Sequence, residues 1–134
     1  MCIPTDEGAL PDIVFGPTGT ATFPTKYHGE VTLSARKWDD ICGKPERLYY
    51  RHNGDKVATT LITPDYVRYH KHEKGQFLYY KRFETFNLTE GTKIELGIKF
   101  MAVIIDTDTS RVCTSYPLLQ PKPGREFKPG GHGI

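Results

Sequence analysis

The stretch that most constrains this chain is the apolar run Phe100-Met101-Ala102-Val103-Ile104-Ile105, with the short polar turn Asp106 to Ser110 and the returning run Arg111 to Tyr116. β-Branched and apolar residues at that density, broken by a turn and closed by Pro117, specify two paired antiparallel strands with a buried centre. Thr114 and Tyr116 stand two residues apart on the returning strand. A strand has a side-chain period of two, so both hydroxyls fall on one face, near a strand end where loops make a cleft. In a chain rich in His, Arg and Tyr, such hydroxyls suit a phosphate.

Asp65 to His72, Gln76 to Phe86 and Ile98 to Ile105 read as strands, joined by turns at Lys74-Gly75 and Glu90-Gly91. With Arg111 to Leu118 they make four antiparallel neighbours. The pattern ahead of Pro64 has a helical period instead. Ser34 is an N-cap, Leu33 and Trp38 form a hydrophobic staple, Trp38, Ile41 and Cys42 share a face, and Gly43 is the stop. A second helix is expected within Pro45 to Ile62, broken near Asn53-Gly54, with Val57, Ala58 and Leu61 facing inward. Thr63 precedes Pro64 and must be extended. The expected fold is α+β, with two N-terminal helical segments packed on a four-stranded antiparallel sheet. The helices cover one sheet face and leave the other, or its edge, for function.

Prolines 4, 11, 17 and 24, with glycines between them, make residues 1–25 an irregular arm or linker, with one short strand around Ile13 to Phe15. Residues 121–134 read as a loose Pro/Gly-rich tail, which leaves 26–120 as the folded domain. The chain has 134 residues, enough for one core. It has no apolar run of about 18 residues, so no membrane partner is expected. Met1 to Gly8 lack the pattern of a secretory signal. Cys2, Cys42 and Cys113 are widely spaced and read as reduced structural thiols; no metal and no cofactor is expected.

The net charge of +2 says less than its distribution. Residues 44–82 concentrate Lys and Arg, with His52, His70 and His72 among them and tyrosines interleaved. Tyrosine faces stack on bases and cations hold phosphates, so this stretch suits nucleic acid, with Arg51, Arg68, His70, His72 and Tyr80 as candidate contacts. Solvated cations and ordinary sheet tyrosines would give the same composition, and the sequence leaves both readings open. His70 and His72 share a strand face and would also suit a metal pair, but no third ligand is evident. Lys81 and Arg82 are adjacent on a strand and point to opposite faces, so only one can serve a given site.

The order of two helices, Thr63-Pro64-Asp65-Tyr66-Val67, Leu78-Tyr79-Tyr80-Lys81-Arg82, the strand Met101 to Ile105 and Thr114-Ser115-Tyr116-Pro117 resembles the small ribonuclease toxins of the barnase/EndoU/colicin/RelE superfamily. It is most similar to the versions found in phage proteins and in polymorphic and contact-dependent toxins, and the likeness covers residues 32–118. The resemblance implies a metal-independent RNA endonuclease that cuts by attack of the 2′-hydroxyl on phosphorus, on RNA such as tRNA. It carries a catalytic role to His52, to Lys81 or Arg82, to Thr114 and to Tyr116. Related sequences often have His-Pro-Glu after the first helix, where this chain has Lys44-Pro45-Glu46; either His52 takes that histidine's role or the role is lost. A cognate immunity protein or antitoxin as partner and action in the cytoplasm are further implications. The arm before residue 26 fits a linker to a larger secreted protein or a native start at Met1. The alternative is a non-catalytic RNA- or protein-binding module built on the same sheet.

Overall fold

Short alternating runs form the first two strands. Thr-Ala-Thr-Phe-Pro forms β1 (Thr20–Pro24) and Glu-Val-Thr-Leu-Ser forms β2 (Glu30–Ser34), with Ala21, Phe23, Val31 and Leu33 pointing inward. They pair antiparallel across a turn that needs the positive φ of Gly29, 72°. Then follow α1 (Ala35–Cys42), α2 (Asp55–Ile62), β3 (Tyr66–Tyr69), β4 (Gln76–Arg82), β5 (Phe100–Asp106) and β6 (Arg111–Leu118). The structure, a computed structural model, describes residues 13, 15–43, 54–83, 100–118 and 120–127.

The strands make one six-stranded mixed sheet in the order β1-β2-β6-β5-β4-β3. This corrects the four-stranded antiparallel sheet with two leading helices that the sequence led us to expect. The antiparallel run β3 to β6 is present, but two further strands precede the helices, and β2 joins β6 in parallel. Two physical reasons explain the miss. β1 and β2 have only five residues each, in a segment where proline and glycine dominate the local signal. The β2–β6 contact is non-local and confined to one register pair, Thr32 with Arg111, which no local pattern encodes. Ile13 and Phe15 lie outside any strand and pack against the core.

The first helix forms as its sequence dictates. Ser34 accepts a hydrogen bond from the Lys37 amide at 3.0 Å, Trp38, Ile41 and Cys42 are buried, and the Gly43 amide closes the end on the Asp39 carbonyl at 2.9 Å. Both helices lie on one sheet face, where Trp38, Val57 and Leu61 pack with Tyr79, Met101, Val103, Ile105 and Val112. A smaller cluster forms on the opposite face from Leu78, Tyr80, Ala102 and Ile104, joined by Cys113, Tyr116 and Leu118.

Residues 120–127 are ordered against this second face and its edge. The Tyr69 amide donates to the Arg125 carbonyl at 2.9 Å and the Phe127 amide to the Val67 carbonyl at 2.8 Å, so the segment runs beside β3. To reach β3 from the end of β6 it crosses β5 and β4. It does so over the face opposite the helices, where Lys122 lies against Tyr116. Among the described residues no helix is long and apolar enough to cross a membrane.

Trp38 has no solvent exposure and joins helix to sheet. Trp38→Ala is expected to cost about 3–5 kcal/mol, measured as a lowered urea midpoint with an unchanged denaturant slope; an unchanged midpoint would place the core elsewhere.

Candidate functional site

Strand registry decides which side chains meet on the face away from the helices. Tyr80 is opposite Tyr66 and Ala102, Leu78 is opposite Arg68 and Ile104, Ala102 is opposite Tyr116, and Ile104 is opposite Thr114. All of these therefore share one face, with Arg82 at its end beside Phe100. A cleft of about 320 Å³ opens there, floored by Leu78, Tyr80, Ile104 and Tyr116 and walled by Arg68, His70 and Lys122.

The walls are cationic and the floor aromatic. The Arg68 guanidinium sits 5.2 Å from the Tyr66 ring centre and 5.9 Å from that of Tyr80, and donates from Nη1 to the Lys122 carbonyl. The Lys122 ammonium lies 5.2 Å from the Tyr116 ring centre. Arg125 stacks 3.8 Å from Tyr69. Among the described residues the Arg68 Nε and the Tyr80 hydroxyl are buried without a hydrogen-bond partner, an arrangement that favours an incoming oxygen acceptor or donor. Burial, reinforced by the neighbouring Tyr116, pushes the Tyr80 phenol up to about 12, although the Lys122 backbone and the Arg68 charge pull the other way. It is a hydrogen-bond donor at neutral pH and not a base.

His70 lines the cleft with its ring fixed by the turn that follows. Its Nδ1 accepts from the His72 and Glu73 amides, both at 3.0 Å. The neutral ring therefore carries its proton on Nε2, which presents a donor, while the nitrogen that could take up a proton is occupied. His72 is exposed on the turn, with its ring centre 6.3 Å from that of His70. Among the described residues no group of three His, Cys, Asp or Glu is placed to hold a metal.

Of the residues singled out from sequence, Arg68, His70, Tyr80 and Tyr116 line one cleft, and Thr114 and Arg82 extend its face. Lys81 belongs to the helix face: it is opposite Met101 and its ammonium is 3.9 Å from Asp65. The face is thus Arg82's and not Lys81's. Arg51 and His52 lie outside the described residues. Sequence reasoning missed Lys122 altogether, because a Pro/Gly-rich stretch at the chain's end carries no periodicity; its signal was the lysine between Pro121 and Pro123. It also passed over His28, which accepts or donates at Nδ1 to the Tyr79 hydroxyl at 2.6 Å and stacks on Phe77 at 4.0 Å on the helix side. Burial pulls His28 below the ordinary histidine range, so it serves the core as a neutral ring.

Comparison of the chain with protein-family models, with curated proteins and with solved structures finds no match.

The Tyr80 shift fixes a pH dependence. With its phenol raised in the fold from 10.0 to about 12, the unfolded chain loses this proton first, so stability is full below pH 10 and declines as pH rises through about 12. Tyr80→Phe is expected to flatten that decline in thermal midpoints recorded from pH 9 to pH 12; an unaltered slope would show that Tyr80 ionises as freely as an exposed tyrosine.

Proposed function

We propose that the open sheet face binds single-stranded RNA and that the chain cleaves it as a toxin-like ribonuclease. One observation carries the reading: registry collects Arg68, Tyr80, Arg82, Thr114 and Tyr116 on the face that the helices leave free, and Lys122 closes over them. The exposed Tyr66 ring, the half-buried Tyr116 ring and the Arg68 guanidinium plane offer faces on which unpaired bases can stack, and the cations and the His70 Nε2–H offer contacts to phosphate oxygens. A duplex would present its phosphates but keep its bases stacked away from such a floor. An unpaired loop, as in tRNA, suits it better.

Cleavage adds a proton acceptor for the 2′-hydroxyl and a donor for the leaving oxygen. Tyr80 is held protonated and His70 has its acceptor nitrogen engaged, so neither supplies the base. The family resemblance gives that role to His52, charge stabilisation on the phosphoryl oxygens to Lys81 or Arg82, of which Arg82 shares the open face, and the holding of the scissile phosphate to Thr114 and Tyr116. A 2′,3′-cyclic phosphate is the expected product. The occupied state of His70 also favours a second reading, a surface that holds RNA without cutting it.

The full chain incubated with tRNA and with unstructured RNA in excess EDTA separates the two. Cyclic-phosphate ends that disappear in His52→Ala, with a rate loss of about 10²–10⁴-fold and retained affinity, establish the ribonuclease. Intact RNA with tight binding establishes the binding module. Tyr116→Ala is expected to weaken binding in either case by about 1–3 kcal/mol, read by fluorescence anisotropy; binding unaffected by Tyr116→Ala and by Arg68→Ala would remove the cleft from both readings.

A further inference from the structure

A second cleft of about 380 Å³ lies at the other end of the sheet, lined by Thr20, Thr32, Ser34, Lys37, Arg111 and Val112. We propose that it binds a phosphate group, and that this phosphate belongs to the backbone of the RNA strand whose bases occupy the first cleft. The inference rests on the RNA reading above for its ligand, and on its own geometry for the site.

The cleft exists because two strands part company. β2 and β6 share a single register pair, Thr32 with Arg111, where the Thr32 amide donates to the Ser110 carbonyl at 2.9 Å. Beyond that pair the sheet splays, and the gap is lined by side chains where a continuous ladder would have backbone. Their chemistry is specific in sign. Two exposed cations, Lys37 and Arg111, line the cleft together with three hydroxyls. Thr32 donates to the Ser110 carbonyl at 3.3 Å, while Ser34, which accepts from the Lys37 amide at 3.0 Å, and Thr20 keep their hydroxyl protons for a ligand. The acid that faces Arg111 across the ladder is Asp106, and its carboxylate is committed to the turn. One oxygen accepts from the Asp108 and Thr109 amides at 2.8 and 3.2 Å, the other from the Gln76 amide group at 3.4 Å. A guanidinium fork, an ammonium and hydroxyl donors together match a tetrahedral oxyanion.

Its position ties it to the first cleft. Thr32 shares a face with Arg111, and Arg111 with Asp106, Ile104 and Tyr116. Thr32 and Arg111 of the second cleft therefore lie on the same sheet face as the first cleft, joined to it by β6, while Lys37 and Val112 close the second cleft from the helix side. From Tyr116 to Arg111 is five residues, a path of about 16 Å along an extended strand. A nucleotide bound at Tyr116 leaves its backbone to run along β6 past Thr114 to the cations. The site takes a phosphate and reads no base, so it adds affinity without sequence preference.

The test uses the full chain, inorganic phosphate, and oligonucleotides of two and of eight nucleotides. Phosphate titrated into labelled protein is expected to shift the amide resonances of Thr32, Ser34 and Arg111, and the double variant K37Q/R111Q is expected to lose those shifts while keeping its thermal midpoint. The variant should bind the octanucleotide roughly tenfold more weakly, with the salt slope reduced by about 1–2, and the dinucleotide as the wild type does. Phosphate shifts with no octanucleotide binding by the wild type would keep the anion site and overturn its assignment to RNA. Equal octanucleotide affinity and slope in variant and wild type, or no phosphate shifts at all, would overturn the inference itself. Should the double variant fail to fold, R111E alone is expected to give the same pattern.

Discussion

Everything else in the structure is referred to the strand β5. Met101 to Ile105 are five consecutive buried residues, so this strand is covered on both faces, whereas a strand on a one-sided sheet would alternate. On one side it meets the helices; on the other it meets Tyr80, Tyr116 and the crossing segment that carries Lys122. Its two neighbours, β4 and β6, are held in long antiparallel ladders, and these ladders fix which residues of each point to which face. The site is therefore placed by a packing requirement. Because Met101, Val103 and Ile105 must face the helices, Ala102 and Ile104 must face away, and the residues opposite them go with them.

That requirement brings cations and aromatics into a partly desolvated place. Arg68 is caught between two tyrosine rings and the Lys122 carbonyl, and Lys122 lies on Tyr116. The Arg68 bond to the Lys122 carbonyl uses one of the guanidinium's donors, and the ring contacts hold both cations in place without using any. Polar side chains fixed in this way lose little freedom when a ligand arrives, which is where rigid sites gain over flexible loops. The His70 ring is fixed in the same manner by two backbone amides, which decides its tautomer and so its chemistry. A histidine in a cleft invites assignment as a base; here its hydrogen bonds make it a donor.

The parts of this structure legible in sequence were those written in local patterns. The capping serine, the staple, the buried face of α1 and the strands β3 to β6 follow from residues within a few positions of one another, and they form where expected. The separation of Lys81 from Arg82 follows from strand period alone. What failed was non-local or short. β1 and β2 alternate correctly but were hidden among prolines and glycines, and their attachment to β6 depends on a pair 79 positions apart in the chain, Thr32 with Arg111. The crossing segment has no period to read, because its order comes from what it lies on.

Strand period also misleads in one place, and there the structure supplies a device that counting could not. Simple alternation along β6 puts Arg111 and Thr114 on opposite faces, since they are an odd number of residues apart. The ladder is irregular between Ile104 and Ile105: Ile105 pairs with Val112 and Ile104 with Thr114, which leaves Cys113 as the extra residue. Such a bulge shifts the parity of everything beyond it. Val112 keeps its place in the core while Thr114 and Tyr116 turn to the open face that Arg111 already occupies. Pro117 is tolerated within the strand for a separate reason. Among the described residues β2 pairs with β6 only at Arg111, so the proline's missing amide faces no ladder on that side. One inserted residue thus aligns hydroxyl, phenol and guanidinium along a single face, and the thiol that performs it is held neutral by its burial and by the nearby Asp106. Deleting the bulge would leave each side chain present and the face without its row.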